Sequence, residues 1–177
     1  MNNIPINTPN DILNENNKYD FHTIPMAKFI LISWATFGLW LFRWNYKMWK
    51  KVAVDYNYKI SPFWRSGFMW IFNFSLFKII EKHANEHGVK FDISATWLAI
   101  IFLLIGFIPT INNAVTDIIL YLLFLLPMAY VQYKINEVNK KAYPYAHVEE
   151  WNMLDTIWTI ICIALRIFGI AIDKKLK

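Results

Sequence analysis

One cysteine among 177 residues means that no disulfide within the chain can support its fold, and no paired-cysteine redox or metal motif can be built. Glycine is scarce too, at five, and none falls into a Walker loop, a Gly-x-Gly-x-x-Gly fingerprint or a Gly-x-Ser-x-Gly elbow. An exposed nucleophile beside a base is also missing. The opening segment lacks the basic stretch followed by an apolar core that marks a cleavable signal. These absences remove the common nucleotide-dependent, hydrolytic and thiol chemistries. The chain reads as non-enzymatic, with no cofactor.

Apolar and aromatic residues, by contrast, are abundant. The chain is 56% hydrophobic and 18% aromatic, against about 45–50% apolar for an ordinary soluble domain. Its solvent is therefore expected to be lipid. The net charge of +5 is read through the positive-inside rule and contact with anionic lipid, and nucleic acid is not needed to explain it. The expected fold is all-α, a polytopic membrane helix bundle with roughly three to five spans plus amphipathic interfacial or re-entrant helices.

Residues 1–22 form a polar, Asn-rich tail with little to pack. One membrane helix is expected over 24–42, with Lys28 snorkelling near its start and a possible hinge at Thr36-Phe37-Gly38. An amphipathic surface helix over 43–56 follows. There Arg43, Lys47, Lys50 and Lys51 share one face, with Tyr46, Trp49, Val52, Ala53 and Tyr56 on the other. With Trp44 these bases and rings are expected to sit among lipid headgroups.

The second apolar run, 62–87, carries Arg65 inside it and is ended by Gly88. It spans, re-enters or lies in the interface. Further membrane helices are expected over 93–111, behind a possible cap at Asp92, over 117–141, kinked at Pro127, and over 151–172. If every run spanned, the loop between 112 and 117, which has no base, would face the cytoplasm, and Lys134, Lys140 and Lys141 would lie outside. If 62–80 is re-entrant, the basic segments at 43–61, 78–90 and 134–141 all fall on the cytoplasmic side, and this arrangement is preferred.

Three constellations could carry function. In the last helix Asp155, Thr159, Cys162, Arg166 and Gly169 recur at helical spacing along one face, which would line a pore or a helix contact. Arg65 and Asp117 are intramembrane charges, with Asp117 and Asp155 as plausible counter-charges for Arg65 and Arg166. His83, Glu86 and His87 fit a His-x-x-Glu-His spacing, a weak metal candidate that needs a third ligand from His147, Glu149 or Glu150.

Lys28-Phe29, Thr36-Phe37-Gly38-Leu39-Trp40, Trp44-Asn45-Tyr46-Lys47-Met48-Trp49-Lys50, Ser61-Pro62-Phe63-Trp64-Arg65 and Ser75-Leu76-Phe77, with Asn152 later on, form a pattern. It resembles an uncharacterised family of small bacterial polytopic inner-membrane proteins. The resemblance implies a multi-pass location in the bacterial inner membrane and no assigned activity. The expected function is a homo-oligomer that forms a pore or a small-solute or ion channel lined by the last helix. The alternative is an accessory scaffold in a larger membrane complex, and a membrane-embedded metal hydrolase is the distant third.

Overall fold

The computed structural model describes residues 21–36, 38–109, 114–142 and 148–176, and the side chains of these except at 114, 154 and 166–176. The tail expected over 1–20 lies outside the described residues. Among those described the chain is helical, with no strand beyond an isolated parallel bridge between Thr23 and Val148. Among the described residues seven helices follow one another: α1 Met26–Ala35, α2 Leu39–Asp55, α3 Pro62–Gly67, α4 Met69–Glu86, α5 Ala95–Gly106, α6 Ala114–Ala142 and α7 Met153–Leu176.

The helix expected over 24–42 is two helices. Gly38 sits at φ 81, a conformation that glycine adopts without strain, and the chain reverses there. Thr36 secures both sides of the break. Its hydroxyl donates to the Ile32 carbonyl at 2.7 Å and accepts the Trp40 N–H at 3.2 Å. The Ser33 carbonyl accepts the Gly38 N–H at 3.1 Å and the Tyr121 hydroxyl at 2.5 Å. The Trp40 N–H and the Ser33 carbonyl, at the two sides of the break, therefore find side-chain partners inside the protein.

Two other helix ends are closed by left-handed residues. Asn57, at φ 49, ends α2, and the Tyr58 N–H returns to the Ala53 carbonyl at 3.1 Å. Gly88, at φ 71, ends α4. The Val89 N–H bonds Ala84 at 2.9 Å and the Gly88 N–H bonds Asn85 at 3.0 Å, the paired bonds of a Schellman motif. The run expected over 62–87 is also broken, by a bend at Phe68 between α3 and α4.

Helix α6 is the axis on which α1, α4 and α5 pack. Contacts along it fix their directions. Ile24 meets Asn136 and Ser33 meets Tyr121, so α1 runs antiparallel to α6. Trp44 returns to Gln132, so α2 climbs back. Trp70 lies against Phe124, and Ala84 and Val89 against Val138, so α4 runs with α6. Asp92 meets Tyr130 and Phe102 meets Phe124, so α5 descends. Finally Val148 pairs with Thr23 and Asp155 with Lys28, and α7 descends beside α1.

The bundle is thereby divided along its length. One end gathers Lys28, Lys47, Lys51, Asp92, Lys134 and Glu149 with their partners. The other end exposes Leu39, Trp64, Leu104, Phe107, Val115 and Leu126. Among the described residues one helix, α6, is long and apolar enough to cross a membrane, over Val115–Ala142. It continues through Pro127, whose ring nitrogen cannot donate to the Leu123 carbonyl. Helices α1 and α5, of 10 and 12 residues, rise about 15 and 18 Å, roughly half of a hydrocarbon core.

Candidate functional site

The polar end is built around a lysine. Lys28 is fully buried, where an ammonium survives only if its hydrogens are met. Its Nζ lies 2.7 Å from Asp155 Oδ2 and 3.7 Å from Glu149 Oε1, and it donates to the carbonyls of Glu150 at 2.6 Å and Glu149 at 3.3 Å. Lys28 was expected to snorkel to an interface, so this is a correction. One turn into a short helix flanked by α6 and α7, its side chain reaches the α7 start before it reaches solvent.

Asp155 is held for this contact by the start of α7. The Asn152 side chain accepts the Asp155 N–H at 2.7 Å, and the Asp155 carboxylate reaches back to the Asn152 N–H at 3.4 Å. This is a capping box with Asp in the Glu position. Thr159, also buried, turns its hydroxyl to the Asp155 carbonyl. Asp155 and Thr159 are therefore committed to helix contacts, and Asp155 pairs with Lys28 instead of an arginine. Cys162 is half-buried and free; the side chains of Arg166 and Gly169 lie outside the described residues.

Glu149 extends the network outward. It pairs with Lys47 at 2.7 Å. Burial pushes its carboxyl up, but the hydrogen bond and charge of Lys47, with Lys28 and Arg43 nearby, outweigh that and hold it below the usual carboxylate range. Above it lies an open cleft of about 630 Å³ lined by His22, Arg43, Tyr46, Lys47, Lys50, Lys51 and Val54.

The cations of α2 thus share a face as expected, but the other face differs. Leu41, Trp44, Asn45, Met48, Trp49 and Val52 are buried, a stripe at helical spacing that packs into the protein. Trp44 and Trp49 are core residues and cannot contact lipid, which corrects the expected headgroup role. Trp44 gives its indole N–H to Gln132 Oε1 at 2.6 Å. Tyr46 stands with the cations.

Arg65 places its guanidinium over Trp49, 4.5 Å from the ring centroid, and Phe72, at 5.0 Å, with no carboxylate in ion-pair range among the described residues. Its π-faces stand in for a counter-ion. Asp117 is half-buried near the start of α6, and its Oδ1 has no hydrogen-bond partner among the described residues.

The weak metal candidate divides. His83 and His87 lie 4.4 Å apart, centroid to centroid, while Glu86 is exposed and faces Lys82 at 3.9 Å. Among the described residues no three His, Cys, Asp or Glu side chains gather to hold a metal. Glu149 is engaged with lysines, and His147 lies outside the described residues. Burial, then the charges of His87 and Lys51, lower the His83 pKa to about 4; Phe21 meets its ring edge-on at 5.2 Å.

Two features of this end escaped the sequence reading. Gln132, Asn136 and Asn139, at i, i+4 and i+7 on α6, form an amide ladder. Gln132 donates to the His22 carbonyl at 3.0 Å, Asn136 brackets Ile24 with bonds of 2.7 and 3.1 Å, and Asn139 holds the Phe21 carbonyl. Phe21, placed in the tail, is a core residue. Second, Asp92 does not cap α5, whose N-cap is Ser94. It pairs with Lys134 at 3.1 Å and accepts from Tyr130 at 3.0 Å, and these two, Lys134 first, lower its pKa.

Comparison with protein-family models, with curated proteins and with solved structures finds no match to this chain.

Proposed function

We propose that this is a non-enzymatic membrane scaffold that enters the bilayer from the cytoplasmic face. Its charged end lies at the headgroups, α1 and α2 form a re-entrant hairpin, and α6 is long enough to cross. The gathering of the ion pairs at one end of the bundle, away from exposed Leu39, Trp64, Leu104, Phe107 and Val115, carries this reading. The turn at Gly38 supports it further. Irregular backbone is tolerated at membrane depth only when its polar groups are met by protein, and Thr36 and Tyr121 meet them here.

In this arrangement Arg43, Lys47, Lys50, Lys78, Lys90, Lys134, Lys140 and Lys141 fall at one end, in keeping with the positive-inside rule. The bacterial inner membrane is assigned on the resemblance carried by residues 28–77. A pore lined by the upper half of α7 draws no support from the side chains there, since Asp155 pairs with Lys28 of α1 and Thr159 is buried with its hydroxyl on the Asp155 carbonyl.

Single cysteines test the insertion in a Cys162→Ala background. Lys90→Cys and Lys140→Cys are expected to react with a membrane-impermeant maleimide only in inside-out vesicles, and Leu39→Cys, at the hairpin tip, in neither orientation. Labelling of positions 90 and 140 from opposite sides, or recovery of the protein as a soluble monomer without detergent, refutes it.

A further inference from the structure

We propose that the cleft on α2 is a specific site for a phosphate group carrying about two negative charges, held between Arg43 and Lys50. Four cations line the cleft, but they are not equivalent. Lys47 is drawn to Glu149 at 2.7 Å and Lys51 to Asp55 at 3.0 Å, and these contacts hold both side chains in place while cancelling much of their charge. Arg43 and Lys50 are exposed and have no carboxylate in ion-pair range among the described residues.

The two residues stand seven apart on one helix face, about 10 Å along the axis, with Tyr46 between them. Long side chains from both ends can converge on one phosphate, Arg43 through its planar fork and Lys50 as a point charge. The uncompensated charge of the cleft therefore matches a phosphate monoester better than a singly charged diester. Val54, exposed at the rim, gives apolar surface to whatever the phosphate is attached to. Buried Lys28 also reaches Glu149, at 3.7 Å, so the carboxylate that holds Lys47 is itself held before a ligand arrives.

Two sources supply this chemistry, the headgroup of an anionic phospholipid and free phosphate. The lipid source rests on the insertion proposed above, but the phosphate chemistry does not. The test uses the purified full-length protein in an uncharged detergent, by native mass spectrometry, with phosphatidic acid, phosphatidylcholine and inorganic phosphate as probes. Because no bilayer is present, failure here leaves the insertion reading standing, and the cysteine labelling decides that one separately.

Phosphatidic acid is expected to be retained in preference to phosphatidylcholine. The double variant Arg43→Ala/Lys50→Ala should weaken retention about twenty-fivefold, from two surface cations each contributing about a factor of five. Lys90→Ala/Lys140→Ala, which removes two exposed lysines elsewhere on the charged end, should leave it unchanged. Emission from buried Trp44 and Trp49 confirms that each variant is folded. Retention that survives the Arg43/Lys50 change, or that falls equally in the Lys90/Lys140 control, overturns the proposal in favour of diffuse charge. Inorganic phosphate binding as well as the lipid, and lost in the same variant, keeps the site and assigns it to free phosphate.

Discussion

Replacing Lys28 with methionine keeps most of the side-chain volume but leaves Asp155, 7% exposed, as a carboxylate without its cation. Asp155→Asn does the converse. It leaves a fully buried ammonium with two carbonyls and the more distant Glu149, while asparagine can still serve the start of α7. Removing one partner of a buried pair typically costs about 3–5 kcal/mol, because the other charge stays buried.

The double variant Lys28→Met/Asp155→Asn has neither charge, so its cost should fall below the sum of the two by about 2–3 kcal/mol. Unfolding in mixed micelles, titrated with a denaturing detergent and followed by tryptophan emission, measures all four proteins; Trp44 and Trp49 report the core. Single variants costing under about 1 kcal/mol, as exposed pairs do, would refute the burial argument. So would strict additivity in the double variant.

Acid should act through His83. Its folded pKa of about 4 lies below the ordinary 6.5, so the unfolded chain binds the extra proton between those values, and stability is lost as pH falls through that window. From neutral pH to pH 5 the loss is about 2 kcal/mol, seen as a falling unfolding midpoint that His83→Phe flattens. A wild-type midpoint that is level over this range would contradict the assignment. The lowered carboxyls of Glu149 and Asp92 stay ionised there and lose their contribution only at lower pH. Gly106→Ala should also destabilise the fold, because its Cβ would lie 1.9 Å from the Trp70 ring. Displacing that ring from Phe102 and Phe124 should cost about 1–3 kcal/mol, read as a lower midpoint with altered near-ultraviolet circular dichroism. Wild-type values of both would show that the ring yields freely.

What the sequence made legible was local. The helical character, the stop at Gly88 and the break near Gly38 follow from spacing and from residues suited to positive φ. The cationic face of α2 also follows from a period of 3.6. What failed depended on contacts distant along the chain. A lone lysine in an apolar run looks interfacial until α7 brings Asp155 to it. The rings of α2 look suited to headgroups, but the same spacing builds a core stripe once α3, α4 and α6 surround it. The amides of α6 did leave a signal, three at helical spacing beyond an apolar run, but the partners they share are the backbone groups of Phe21, His22 and Ile24, which no side-chain pattern records.

The reach of the Lys28 network bears on the order of assembly. Glu149, a partner of that ammonium, lies 121 residues further on, a stretch that takes a ribosome on the order of ten seconds to make. Throughout that interval neither Glu149 nor Asp155 is there to meet the ammonium, which stays hydrated, so the first turn of α1 cannot take up its buried place. The start of the last helix brings Asp155, so synthesis as far as that residue precedes the burial of Lys28.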